Sequence, residues 1–202
     1  MPATTPLARG LATATALVAL VALAMQLWIA ATAANRPPGM AAWWWLAGYF
    51  TILTNLAVAA LMGRIALGSG LSARVQGGLV LSILMVGLVY HALLARLWAP
   101  RGLAWWTDQA LHSATPLLTL VWWLGFGDRR VGLHDLPVWL GWPALYAVYA
   151  LLRGAATGFW PYPFLDADRL GWAEVAGNLA GMVLAFAALG LVLIALARVS
   201  VR

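Results

Sequence analysis

The 202-residue chain has no cysteine and no lysine, only three histidines, and six acidic residues against twelve basic ones. The missing cysteine removes disulfides, thiolate nucleophiles and Cys-ligated zinc or iron–sulfur centres, and says nothing about redox compartment. Charged residues make up 9% of the chain against 64% hydrophobic ones. With a mean hydropathy of +0.87, the chain carries too little charge to solvate a soluble domain. The net charge of +6 comes from arginines scattered singly between apolar runs. No basic patch forms, so nucleic acid is not an expected partner, and the arginines read as membrane-flanking anchors. No GxGxxG opening a helix after a strand, no Walker loop, no HExxH and no GxSxG occurs, so nucleotide binding and zinc proteolysis lack a motif.

What the chain does have is long apolar runs. Stretches free of Arg, Asp and Glu extend over Leu11 to Ala34, Met40 to Gly63, Val75 to Ala95, Gln109 to Gly127, Leu136 to Leu152 and Val175 to Ala197. About 20 residues cross the roughly 30 Å hydrocarbon layer, so each run is long enough, the fifth by continuing through Arg153 to Gly158. The expected fold is all-α: one integral membrane domain of six transmembrane helices, over about 11–34, 40–63, 75–97, 107–127, 136–158 and 172–197. The connecting segments are short, and no internal repeat is visible. Arg9, the first apolar run and the small residues at Ala31, Thr32 and Ala33 imitate a secretory signal. Its length exceeds the about 7 to 15 residues of a signal core, so it reads as a retained helix; a cleaved signal would leave five.

Six spans put both termini on one side. That side carries Arg9, Arg64, Arg74, Arg129, Arg130, Arg198 and Arg202, the other Arg36, Arg96, Arg101, Arg153 and Arg169. The excess favours termini in the cytoplasm and a multipass protein of the cell membrane. Tryptophans at Trp43 to Trp45, Trp98, Trp105, Trp106, Trp160 and Trp172 cluster near the outer ends, and Trp122, Trp123, Trp139 and Trp142 near the inner ends, as interfacial belts do.

Polar side chains within spans are expensive, and here they share the outer half. The second run carries Thr51, Thr54 and Asn55 on one helical face, the third ends through Tyr90 and His91, and the fourth begins with the stripe Asp108, His112, Thr115 and Thr119. The fifth ends at Arg153, and the sixth begins with Glu174 and Asn178. Each has a plainer reading. The threonines bond to the carbonyl four residues back, the asparagines pack between helices, and Arg153 snorkels to the interface. Convergence of five helices on one layer favours a buried polar cavity lined by Thr51, His91, His112, Arg153 and Asn178.

Such a cavity suits acyl transfer. A hydroxyl nucleophile needs a base within reach, and the base gains from a third group that fixes its tautomer. Asp108 lies one turn before His112 and can orient it, while Thr51 or Thr54 supplies the hydroxyl. Asn55, Asn178 and Arg153 are the candidate oxyanion donors. Two other classes compete: a non-enzymatic transporter, and a haem or metal protein ligated by His91 and His112.

Gly48-Tyr49-Phe50-Thr51-Ile52-Leu53-Thr54-Asn55, the stretch from His112 to Pro116, Trp139 to Tyr146, and Tyr162-Pro163-Phe164-Leu165 followed by Gly171 resemble bacterial members of the androgen-induced gene 1 family. That family includes the androgen-dependent TFPI-regulating protein. The likeness runs in register from the second run to the sixth, and the Tyr-Phe-Thr-Ile-Leu-Thr-Asn and Tyr-Pro-Phe-Leu-Asp strings carry most of it. It implies a multipass threonine hydrolase that cleaves fatty acid esters of hydroxy fatty acids, without a cofactor or metal, on a lipid substrate entering from the bilayer. By motif, the threonine falls on Thr51 rather than Thr54 and the histidine on His112. The chain departs from the pattern at Trp122-Trp123, where bacterial relatives tend to have Asp-Trp.

Overall fold

The computed structural model describes residues 5–33 and 40–199. Arg36, Arg202 and the end of the first apolar run at Ala34 lie outside them. Helix α1 (Pro6–Thr32) begins where Thr5 caps it, the Thr5 hydroxyl accepting the Ala8 N–H, with proline in the first turn where no amide partner is lost. Then come α2 (Met40–Leu46), α3 (Phe50–Ala66) and α4 (Ala73–Val89), which runs on as a π turn over Tyr90–Leu94. A second π turn, Ala110–Ala114, joins α5 (Leu103–Gln109) to α6 (Thr115–Phe126) without a gap. The short α7 (Leu136–Trp139), α8 (Gly141–Thr157), α9 (Ala167–Leu170) and α10 (Trp172–Val199) complete the chain, and the described residues contain no strand.

Pro6–Thr32, Ala73–Leu94 and Trp172–Arg198 are long and apolar enough to cross a membrane, and a fourth crossing arises if α2 and α3 count as one bent span. Against the six spans expected, the described residues thus offer three, or four with the bent pair, by length and composition. Between α2 and α3 the axis turns by 99°. The Tyr146 hydroxyl donates to the Gly48 carbonyl at 2.8 Å and an Arg153 Nη to the Trp44 carbonyl at 2.7 Å. These distant side chains take carbonyls that a continuing helix would have used. Glycine is required at 48, because any side chain there would run into Phe159 and Arg153. The run from Leu136 breaks at Leu140 for a local reason: Pro143 has no N–H to offer the Trp139 carbonyl four residues back.

The bundle closes by small-residue packing and by ties at one end. Ala8, Ala12, Ala16, Ala19 and Ala22 form a buried stripe on α1 that lets neighbouring backbones approach. Arg9 reaches the Ala66 carbonyl (2.9 Å) and Trp122 the Ala8 carbonyl (2.9 Å), which sets α1 antiparallel to α3 and beside α6. Helix α4 is central, with 56% of its apolar window buried, whereas α10 has 22% buried and turns an apolar face outward. At the same end, Arg74 pairs with Asp135 (2.6 Å) and Trp139 donates to the Arg74 carbonyl (2.8 Å), anchoring α7 to the start of α4.

Candidate active site

At the opposite end the two π turns bring a polar constellation together. A π turn admits an extra residue and rotates the side chains that follow, and both turns here fall on functional-looking positions, Tyr90 and His91 in one and His112 and Ser113 in the other. Glycine at 87 permits the approach: a Cβ there would lie 2.9 Å from the His112 carbonyl. A larger residue would push the second π turn away from α4.

Thr51 Oγ1 lies 3.4 Å from His112 Nε2. On the other edge of the ring, Nδ1 is 3.0 Å from the Asp108 carbonyl and 3.3 Å from its Oδ1. Facing two acceptors, Nδ1 carries the proton, and Nε2 turns its lone pair to the Thr51 hydroxyl. The second carboxylate oxygen of Asp108 accepts the Tyr90 hydroxyl, and the Tyr90 ring stacks on His112 with centroids 4.0 Å apart and planes at 19°. The imidazole is held at its edge by Asp108 and on its face by Tyr90. The 3.4 Å separation is at the long end for a hydrogen bond.

Thr51 gains from the chain break before it. Ending α2 at Leu46 and restarting at Phe50 puts Thr51 in the first turn of α3, at the positive end of the helix dipole. The Thr51 N–H is accepted by the Tyr162 hydroxyl at 3.4 Å. Burial pushes the Tyr162 hydroxyl above its ordinary pKa, so it remains a neutral donor. Asn55 Nδ2 donates to the Thr51 carbonyl (2.9 Å) and the Leu111 carbonyl (3.3 Å), tying α3 to the second π turn, while its buried Oδ1 has no partner. A chamber of about 310 Å³ opens over these groups, lined by Thr51, Tyr90, Asp108, His112, Tyr162 and Trp98 among others.

Four residues expected beside them sit elsewhere. Thr54 Oγ1 accepts the Trp142 indole N–H at 3.1 Å, so it faces α8 and does not share the face of Thr51. His91 is exposed and bonds to Ser113 at 3.0 Å. Arg153 is a clamp at the α2–α3 break: its guanidinium lies 4.3 Å from the Trp44 ring and 4.6 Å from the Phe159 ring and, among the described residues, pairs with no carboxylate, with Nε buried and unpartnered. Asn178 donates to the Phe164 carbonyl at 3.0 Å and lines a different cavity. The expected cavity of Thr51, His91, His112, Arg153 and Asn178 is thus narrowed to Thr51 and His112. Thr119 bonds back to the Thr115 carbonyl at 2.7 Å, the plainer reading of that stripe. Tyr90 and Tyr162 were not among the expected site residues. The available signal was that a tyrosine hydroxyl buried in an apolar chain must find a partner.

The described residues hold no group of three or more His, Asp or Glu side chains able to bind a metal ion. No family model, no curated protein and no solved structure matches this chain. Its class follows from its own geometry: an all-helical protein with helices fit for a membrane, and a hydroxyl, imidazole and carboxylate in line.

Proposed function

We propose that this chain is an integral membrane hydrolase of long-chain lipid esters, of the fatty acid ester of hydroxy fatty acid type, and a bacterial member of the androgen-induced gene 1 family. The observation that carries the reading is the Thr51–His112 contact at 3.4 Å with Asp108 behind the imidazole. In this mechanism His112 Nε2 takes the Thr51 proton as Oγ1 attacks the ester carbonyl, then passes it to the departing alkoxide. The Tyr162 hydroxyl, beside Thr51 at the positive end of α3, is the donor to the developing oxyanion. Water then repeats the sequence on the acyl-threonine, with His112 again as base. The chain crosses the cell membrane six times with both termini cytoplasmic. Supporting that count, the continuous helical stretch from Leu103 to Phe126 and the 17-residue α3 and α8 reach about 26 Å or more at 1.5 Å per residue.

A fluorophosphonate probe tests the nucleophile. The expected adduct maps to Thr51 by peptide mass spectrometry, and labelling and ester cleavage are both lost in Thr51→Ala and in His112→Ala while the proteins stay folded in detergent. Full activity in folded Thr51→Ala would refute the mechanism.

A further inference from the structure

Thr51 lies in the wall between two cavities, of which only one holds ionisable groups. On one side is the chamber that contains His112 and Asp108. On the other, a narrow apolar cavity of about 80 Å³ shares Thr51, Leu94 and Tyr162 with that chamber but includes neither His112 nor Asp108. This cavity in turn shares Met85, Val89, Phe164 and Met182 with a third, of about 340 Å³, between the end of α4 and α10. The third cavity reaches the surface at Leu88 and Leu93, both more than half exposed, beside the outward apolar face of α10. An apolar opening in the side of a membrane bundle meets lipid, not water.

Proton transfer decides which half of an ester lies where. Oγ1 of Thr51 forms a bond to the acyl carbon, the bond from that carbon to the alcohol oxygen breaks, and the proton taken by His112 goes to the departing oxygen. That oxygen must be within reach of Nε2, so the alcohol half lies in the chamber that holds His112. The acyl half then points away from His112, into the cavities that lack it. We propose that the acyl chain of the substrate occupies the passage between α4 and α10 and enters it sideways from the lipid through the opening beside Leu88, Leu93 and Gly181. This rests on the hydrolase reading and adds to it an acyl-specificity site, set by the α4–α10 passage, for an unbranched long chain.

Gly181 gives a clean test. It lines the third cavity, and a Cβ built on it meets nothing within 4 Å, so a large side chain can fill the passage without moving the backbone. Gly125 on α6 has equally free space and lines none of the three cavities, so Gly125→Trp is the control. Cleavage of p-nitrophenyl palmitate and p-nitrophenyl butyrate is measured in phosphatidylcholine nanodiscs. Gly181→Trp should lower the palmitate-to-butyrate ratio of kcat/KM by about tenfold or more, with the ratio unchanged in Gly125→Trp. In parallel, wild-type protein is photo-crosslinked with palmitate carrying a diazirine at its methyl end. The adducts should fall within 85–94 and 178–186 and be lost in Gly181→Trp. Crosslinks confined to those segments in a protein that cleaves neither ester would keep the acyl site and remove the hydrolase. An unchanged ratio in Gly181→Trp, or crosslinks spread evenly over the lipid-facing helices, would overturn the acyl site.

Discussion

Asp108 acts on His112 twice, through its carboxylate and through its own backbone carbonyl. Asp108→Asn keeps the carbonyl, which still holds the proton on Nδ1 and the lone pair toward Thr51. The expected loss in kcat is on the order of 10- to 100-fold, smaller than the ~10⁴ found where a carboxylate alone fixes the tautomer. Tyr162→Phe removes a donor from the oxyanion side and keeps the ring; kcat should fall about 10²- to 10³-fold with KM little changed. Thr54→Ala removes only the Trp142 bond, so activity stays within about twofold while stability drops by about 1 kcal/mol. Steady-state kinetics and detergent melting on the three variants separate these roles; a Thr54→Ala enzyme as inactive as Thr51→Ala would move the nucleophile by one turn. Asp108 and His112 were legible in the sequence because a spacing of four survives into any helix. Thr51 and Thr54 were not separable by spacing alone, since three residues leave about 60° between them and only the neighbours on α6 and α8 decide which one faces the base.

The helices were legible as apolar runs, and their interruptions were not. Gly48 and Trp44 lose their helical partners to Tyr146 and Arg153, residues about a hundred positions away in the chain. Nothing local announces that exchange, though it places Thr51 at a helix start. The π turns are equally silent, whereas the break at Leu140 could have been read from Pro143. The end of the bundle away from the site depends on one buried acid. Asp135 is 2% exposed and accepts from Arg74 and from the Gly132 N–H at 2.9 Å, with His134 Nε2 3.2 Å away. Burial alone would raise its pKa, but these donors outweigh burial and hold the carboxyl below its ordinary value. A depressed folded-state pKa gives stability that is present above the unfolded value of about 4 and lost as pH falls through the folded one. Arg74 is half exposed and its charge is screened, so the contribution is about 1 kcal/mol. Melting curves between about pH 6 and pH 3 should show wild type above Asp135→Asn at the upper end and the two converging at the lower. A difference that persists undiminished at the acid end would mean the carboxylate charge is not what holds α7 to α4.

Apolar surface that would be a liability in water covers the sides of the whole bundle, at Leu17, Leu20, Val21, Leu117, Val121, Val148, Leu152, Val183, Leu184, Leu191 and Val192. It lies on α1, α6, α8 and α10, not on α10 alone, so lipid contacts helices beyond the three longest. Six crossings are the proposal to be tested, and each crossing changes the side on which the next loop emerges. The absence of cysteine allows each loop to be reported singly, with Ser69→Cys before α4, Arg101→Cys before α5, Arg129→Cys before α7 and Arg169→Cys before α10. All four native residues lie outside the long helices. In intact cells an impermeant maleimide should label positions 101 and 169 and leave 69 and 129 for labelling only after lysis. Labelling of 101 and 129 from the same side would mean that the stretch Leu103 to Phe126 does not cross, and the count falls to five, an odd number that puts the termini on opposite sides. Labelling of 69 and 129 from outside, with 101 and 169 protected, would keep six crossings and invert the molecule. The His112 chamber would then open to the cytoplasm, and the water that completes deacylation would come from that side.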